Sequence, residues 1–194
     1  MGDALHILFG APDAQPDHCV SAVACALELD QFAEDFRKAW RARGVEIGPT
    51  RIGIHAGPAI VGNFGGERFF DYTAYGDTIN IAARLEQANR SLGTRICVSA
   101  TVAERAKNFV GRPVGQLLLR GRSHPLGTFE PLSADAFNEP STRAYLDSFA
   151  LLETQDPGAL PAFASLVGLR PQDALAHFHL KRLMNGASGI AIEV

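Results

Sequence analysis

The sequence predicts an α/β (α+β) domain followed by a helical appendage, and three observations favour this fold class. Short β-compatible runs alternate with stretches of helical period up to about residue 131. Beyond residue 133 the strand pattern stops until the last few residues, and prolines recur near the starts of helical stretches. The 194 residues are 46% hydrophobic, which suits one ordinary core. We therefore expect an α/β unit over residues 1–132 and a helical tail over 133–194.

Charge and cysteine content exclude several classes of protein. Eighteen Lys and Arg residues against 21 Asp and Glu leave a formal charge of −3, so a general nucleic-acid partner is not expected. No run approaches the roughly 18 apolar residues that a membrane helix needs. The three cysteines lack metal-ligand spacing and cannot all pair, which favours a reducing, cytoplasmic location.

The first part of the chain predicts strands around one long helix. Residues 4–9 are β-compatible and end at a Gly-Ala-Pro turn signal. Apolar residues recur at three- and four-residue steps over 17–43, which predicts a helix that stops at Gly44. Three short strands are then expected at residues 51–55, 59–63 and 68–73, with a glycine-rich turn before the last of them.

The next part predicts a second helix and a closing hairpin. Gly76-Asp77-Thr78 resembles a helix start with Asp77 or Thr78 as the cap, and Gly93 suits its end. Further elements are expected as a strand at 96–98, a helix at 99–107 capped by Ser99, and hairpin strands at 114–119 and 126–131.

Three helices are predicted in the tail, at residues 141–154, 157–169 and 171–185. The pair around 156–186 resembles one helical hairpin of the tetratricopeptide type. Their sequences leave open whether these helices pack on the first unit, extend a dimer or bind a partner.

Asn80 and Arg84 are the most informative polar residues. They stand four apart, so their side chains lie on one face of the predicted helix. A guanidinium matches phosphate oxygens, and an amide can orient an oxygen-bearing reactant. The opposite face is expected to pack on a sheet through Ile79, Ala82 and Ala83. The alternative is an ordinary polar face, with Arg84 paired to Glu86 or Glu67.

Other candidates are weaker when taken alone. Asp3 can place a carboxylate at a sheet end for magnesium, or it can be a frayed surface group. Arg120-Gly121-Arg122 can grip a terminal phosphate, or it can be a solvated hairpin tip. His6 and His55 fit core or edge positions better than ligand positions, and residues 62–66 lack the P-loop lysine and predict a hairpin turn.

Three segments in order resemble the catalytic domain of class III nucleotidyl cyclases, the adenylate and guanylate cyclase family. These segments are MGDALHILFGAP, RIGIHAGPAIVGNFGG and DYTAYGDTINIAARLE, with a weaker match at LLLRGRSHPLGTFEPL. The resemblance spans roughly residues 1–132. It implies a ferredoxin-like catalytic fold that works as a head-to-tail homodimer with active sites between the subunits.

The resemblance also implies roles for individual residues. Asp3 matches the second metal aspartate of the family's Gly-Asp motif, which would hold Mg²⁺ or Mn²⁺. Asn80 matches the asparagine that orients the ribose, and Arg84 matches the arginine that stabilises the pentavalent phosphate. Thr73 matches the base-selecting position, where threonine is typical of adenylate cyclases, and Arg120 matches a contact to the terminal phosphates. The implied reaction converts ATP to 3′,5′-cyclic AMP and pyrophosphate.

The chain departs from the family pattern at its beginning. The family's first strand, with its Phe-x-Asp metal ligand, and the adenine-reading lysine precede the Gly-Asp motif, and neither stands in these residues. We therefore expect the first strand and helix of the fold to be missing, and a longer cyclase with an upstream sensor or membrane domain. The alternatives are a catalytically inactive fragment, or a dimerisation or regulatory module; a guanylate cyclase is less favoured.

Overall fold

The computed structural model describes residues 4–66, 69–122 and 124–194 and has a mixed α/β architecture. The helices within these residues are α1 (His18–Arg41), α2 (Asp77–Leu92), α3 (Ala100–Arg105), α4 (Ala134–Phe137), α5 (Pro140–Glu153), α6 (Ala159–Leu169) and α7 (Ala174–Met184). The strands are β1 (Ile52–Ile54), β2 (Ile60–Gly66), β3 (Phe69–Tyr75), β4 (Ile96–Ser99), β5 (Gly111–Leu118), β6 (Leu126–Pro131) and β7 (Ala191–Glu193).

Five strands form one sheet in the order β1-β4-β6-β5-β7. The outer pairs β1–β4 and β5–β7 are parallel, and the inner pairs around β6 are antiparallel. Strands β2 and β3 form a separate antiparallel ribbon, called the arm below, in register from Ile60 opposite Tyr75. Strand β3 of the arm ends at Tyr75, and α2 begins two residues later at Asp77.

Helix α2 lies closely on β1. Its buried face consists of Ile81, Leu85, Ala88, Asn89 and Leu92. Gly53 of β1 faces the helix backbone, because a Cβ there would collide with the Ala82 carbonyl oxygen. Only a glycine strand residue permits this approach, which fixes the depth of α2 on the sheet.

Two hydrophobic clusters make up the core of the described residues. The larger one joins α2, β5, β7 and the helices α5, α6 and α7. The smaller one joins α1, α3, β1 and β4. The C-terminal helices therefore pack on the α/β unit, which is the first of the alternatives that their sequence left open.

Several expected elements form and others do not. The long helix, α2, the closing hairpin and the three tail helices lie within a few residues of their expected bounds. Residues 4–9 do not form a strand, and Leu5 and Ile7 are exposed. A strand needs a neighbouring backbone for its ladder hydrogen bonds, and none of the described strands pairs with this segment.

Local details also differ from expectation. Residues 62–66 belong to strand β2 instead of a turn, and the polar stretch after Ser133 contains α4. Within the described residues, Gly76 and not Asp77 or Thr78 is the N-cap of α2, and no side chain caps that helix. Ser99 is the N-cap residue of α3 as expected, but its hydroxyl makes no capping hydrogen bond. The two hydroxyls hydrogen-bond elsewhere, as described below.

The apolar face predicted for α2 was wrong at Ala83, which is exposed. Ile79 and Ala82 are half-buried, and the deeper contacts come from positions 81, 85, 88 and 92. No helix within the described residues combines the length and apolar character needed to cross a bilayer.

Candidate active site around the start of helix α2

The corner between β3 and α2 is set by Gly76. Its φ of +148° suits glycine, and a Cβ there would lie 3.3 Å from the Pro58 carbonyl oxygen. In the next turn the Thr78 hydroxyl donates a 2.6 Å hydrogen bond to that same oxygen. The loop after β1 is thereby pinned to the first turn of α2, where Asn80 stands.

Asn80 is exposed and Arg84 is half-exposed on α2. The alternative pairing of Arg84 with Glu86 does not form, and Glu86 instead accepts a 2.9 Å hydrogen bond from Arg51. Glu67, the other suggested partner, lies outside the described residues. Among the residues that the structure describes, no carboxylate forms an ion pair with Arg84.

The turn between β5 and β6 carries two further arginines, Arg120 and Arg122, and lies beside Arg84. A Cβ on Gly121 would lie 3.8 Å from Arg84 Nη2, so the guanidinium rests beside the turn. Arg120 is exposed on this turn, and Arg122 Nη1 donates a 2.7 Å hydrogen bond to Asp77 Oδ2. Arg84 therefore lies beside a turn that carries two further arginines, and guanidinium groups match the oxygens of a polyphosphate.

Thr73 lies on the arm, half-buried and opposite Gly62. Among the described residues nothing comes within 4 Å of where a Cβ of Gly62 would be. This face of the arm therefore leaves open space beside Thr73, three residues ahead of the Gly76 corner.

His55 follows β1 at the same corner. Its Nδ1 lies 2.8 Å from Ser99 Oγ, so the imidazole bridges the ends of two parallel strands. Burial lowers the pKa of His55, and the positive charge of Arg122 acts in the same direction, while Asp77 opposes them. The histidine is accordingly a neutral structural link, as the expectation of an edge or core position anticipated.

The described residues do not supply a complete metal site. Within them no group of three or more His, Cys, Asp or Glu side chains is placed to hold an ion. Asp3, the expected ligand, lies outside the described residues. The structure therefore offers no donor set through which a reaction step can be derived.

An apolar cavity of about 380 Å³ lies between α1, β1 and the start of α2. His55, Gly57 and Thr78 contribute its polar edge. Its described lining contains no lysine or arginine, so it lacks the donors that a triphosphate requires. Arg84 and the Arg120–Arg122 turn, together called the arginine corner below, present such donors, whereas this cavity does not.

Residues 1–130 match the family model of the adenylate and guanylate cyclase catalytic domain. The chain belongs to this family. The match covers well over half of the 194 residues and contains all five expected site residues, Asp3, Thr73, Asn80, Arg84 and Arg120. Family membership and the α/β fold class expected from the sequence are thereby confirmed.

Curated relatives are named as adenylate cyclases. The chain is 40% identical over 130 residues to adenylate cyclase 1 of Rhizobium meliloti. This alignment covers 66% of this chain and 20% of that protein. The chain is 34% identical over 122 residues to an adenylate cyclase of Mycobacterium tuberculosis, covering 62% of this chain and 26% of the relative. The chain thus spans about a fifth to a quarter of these proteins.

Solved cyclase structures resemble the same part of the fold. The adenylyl cyclase CyaB from P. aeruginosa superposes with a TM-score of 0.58 at 30% identity, covering 65% of each chain. A guanylate cyclase domain from Catenaria anguillulae, solved in complex with GTP, gives a TM-score of 0.52 at 28% identity and covers 64% of this chain and 65% of that one. Both adenylyl and guanylyl cyclases are therefore among the structural neighbours.

Proposed function

We propose that this chain is the catalytic domain of an adenylate cyclase, which converts ATP to 3′,5′-cyclic AMP and pyrophosphate. The observation that carries the proposal is the position of Arg84 beside the Arg120–Arg122 turn, one helical turn after the exposed Asn80. In this arrangement a polyphosphate can bind the guanidinium groups of Arg84 and Arg120 while the side-chain amide of Asn80 contacts the sugar. The cyclase relatives support this assignment of the corner.

The reaction needs positioning and charge stabilisation more than covalent participation by the protein. The 3′ hydroxyl attacks the α-phosphorus in line, and pyrophosphate leaves. Negative charge on the phosphoryl oxygens is stabilised by the guanidinium of Arg84. Asn80 orients the ribose, and Arg120 holds the terminal phosphates.

We assign to Thr73 the selection of adenine over guanine. Its side chain borders the open face of the arm opposite Gly62. A hydroxyl there can hydrogen-bond the adenine edge, and the curated relatives named above are adenylate cyclases. We therefore assign ATP as the substrate, with GTP as the competitor to test.

The active unit in this proposal is a homodimer in the cytoplasm. Asp3 of one subunit holds Mg²⁺ or Mn²⁺, while Asn80 and Arg84 come from the other subunit. The bound metal supplies charge neutralisation at the phosphates. The exposed apolar side chains of the arm, including Ile60, Phe70 and Tyr75, suit a surface that is covered by another chain.

The test measures cyclic AMP and cyclic GMP formed from ATP and GTP with Mg²⁺ or Mn²⁺. It uses this chain and the full product of its gene, because the relatives are much longer. Arg84→Ala should lower cyclic AMP formation by about 100-fold or more, as loss of a transition-state donor does, with a smaller loss of ATP affinity. Arg90→Ala, on an exposed arginine of the same helix, is the matched control and should leave the rate unchanged.

Two results would contradict this assignment. Equal losses in rate and ATP affinity from Arg84→Ala would exclude a transition-state role, and preferential cyclic GMP formation would exclude an adenylate cyclase. A second candidate is a dimerising module without turnover, favoured by the lack of a metal-binding cluster in the described residues. A full gene product that dimerises by light scattering yet forms neither product would support it.

A further inference from the structure

The C-terminal segment, residues 134–194, supports the helix that carries Arg84. The buried face of α2 shares one hydrophobic cluster with Tyr145, Phe163 and Leu175 of the segment. All three side chains are almost completely buried. The helix is therefore held between the sheet and the C-terminal helices.

The end of α2 touches the start of α7. Gly93 closes α2 with a φ of +76°, a conformation that favours glycine. A Cβ on Gly93 would lie only 2.6 Å from the Cβ of Ala174, the first residue of α7. The position of α7 thus sets where the C-terminal end of α2 can lie.

An ion cluster that is largely shielded from solvent, called the Arg112 clamp below, links α7 to β5. Arg112 of β5 donates to both carboxylate oxygens of Asp173 at 2.6 and 3.0 Å, and its Nε donates to Glu130 at 2.7 Å. The guanidinium also lies 4.5 Å from the centre of the Tyr145 ring. Burial opposes ionisation of Asp173, but the hydrogen bonds and positive charge of Arg112, together with hydrogen bonds from the Ala176 and Leu175 amides, outweigh it and lower the pKa of that carboxyl.

Asp173 has a second task at the same point. It is the N-cap of α7, and its side chain accepts a 3.1 Å hydrogen bond from the Ala176 amide. One carboxylate therefore both starts α7 and ties it to β5. A substitution that separates the two roles can show which of them matters.

The segment also supports the turn on the other side of Arg84. Strand β7 pairs with β5 from Gln116 to Leu118. Two residues beyond that pairing, β5 enters the turn of Arg120 and Gly121 that touches Arg84. The helix and the turn that form the arginine corner therefore both rest on residues 134–194.

We propose that Asp173 is a positioning residue for the nucleotide site: through Arg112 it seats α7 against the end of α2 and so holds Arg84 beside the Arg120–Arg122 turn. This inference rests on the proposed function for its nucleotide readout. Asp173 touches no substrate. It acts through the packing of α7 on α2.

Asp173→Asn is the informative variant. Asparagine caps a helix as well as aspartate does, so the change removes the charge at the clamp and keeps the cap. Glu139→Gln is the matched control, because Glu139 is the N-cap residue of α5 and pairs with Arg170 at a half-exposed site in the same region. Hydrogen–deuterium exchange of α2 and binding of ATP and adenosine are measured for both variants and the unaltered chain.

If Asp173→Asn loosens the packing of α7 against α2, amide exchange in α2 should become about tenfold or more faster at temperatures far below unfolding. Exchange in the arm should not change. Affinity for ATP should fall by about fivefold or more, in the range of ordinary coupling between sites, while affinity for adenosine stays unchanged. The ATP-to-adenosine ratio is decisive because a general loss of stability would not single out the phosphates. Glu139→Gln should alter neither measurement.

The proposal is overturned if exchange rises only in α7, if it rises uniformly through the chain, or if the ATP-to-adenosine ratio is unchanged. If Asp173→Asn does not fold, Gly93→Ala disturbs the same seat from the α2 side and should give the same pattern. If the unaltered chain binds no ATP, the proposed function fails for this chain. The exchange pattern of α2 then still decides whether Asp173 seats the helix.

Discussion

The two sides of the sheet differ in how completely they are packed. On the C-terminal side, Tyr145, Phe163 and His179 are fully buried against α2 and β5. On the N-terminal side, α1 leaves Phe32 and Phe36 exposed by 69% and 44%. The C-terminal helices therefore bury large side chains in the core that α2 shares, whereas α1 leaves two of its aromatic rings in solvent.

The largest expected effect comes from truncating one aromatic ring on each side. Phe163→Ala empties a fully buried site that contacts the Tyr145 and His179 rings, and it should lower the free energy of unfolding by about 3–5 kcal/mol. Phe32→Ala, at a 69% exposed ring on α1, should change it by less than about 0.5 kcal/mol. Urea denaturation of both variants measures the contrast. Equal losses would show that the two sides are packed alike.

A second effect depends on pH and is expected at His179. Burial, together with Arg182 and Arg112, lowers the pKa of this imidazole to about 3. Its Nε2 has no hydrogen-bond partner within the described residues. In the unfolded chain His179 therefore binds a proton with a pKa near 6.5, whereas in the folded chain it binds one only near pH 3.

His179 thus makes the C-terminal side lose stability as the pH falls from about 6.5. The slope approaches about 1.4 kcal/mol per pH unit for one proton. His179→Phe keeps an aromatic ring among its aromatic neighbours and should flatten that part of the profile, with the gain over the unaltered chain growing toward pH 4. Denaturation curves at several pH values give the profile, and parallel curves for the two proteins would refute this origin of the slope.

The smallest effect is expected at the ion pair that joins the two halves of the arginine corner. Asp77 is 67% exposed at its side chain, so Asp77→Asn should lower the free energy of unfolding by only about 0.2–1 kcal/mol. A double-mutant cycle with Arg122→Gln isolates the pair energy. A coupling well above this range would place the exposed corner on a par with the buried Arg112 clamp and weaken the contrast between them.

The sequence predicted those helices whose formation depends on residues close together in the chain. The helical period over α1 and α2, the glycine at the end of α2 and the prolines of the tail correspond to the observed helices. Placing Asn80 and Arg84 on one helical face required only the 3.6-residue period. Residues 4–9 carry an equally good strand pattern, but strand formation depends on a neighbouring backbone that a pattern does not reveal.

Long-range contacts could not be predicted in the same way. The links from Arg122 to Asp77 and from Arg112 to Asp173 span 45 and 61 residues. Nothing in the residues around Arg112 indicates that a helix N-cap far along the chain will meet it. The two basic residues flanking Gly121 were a partial signal, since they marked the turn that the fold brings to Arg84.

The pairing of β7 with β5 has a consequence for synthesis of the chain. Gln116 is opposite Ala191, so 75 residues must be added after β5 is made before its outer edge finds a partner. During that interval the ribosome holds a nascent protein in which β5, and the turn of Arg120 and Gly121 that follows it, can pair on one edge only. Exposed strand edges invite pairing with other chains, so a pause in translation between these strands favours aggregation of the unfinished protein.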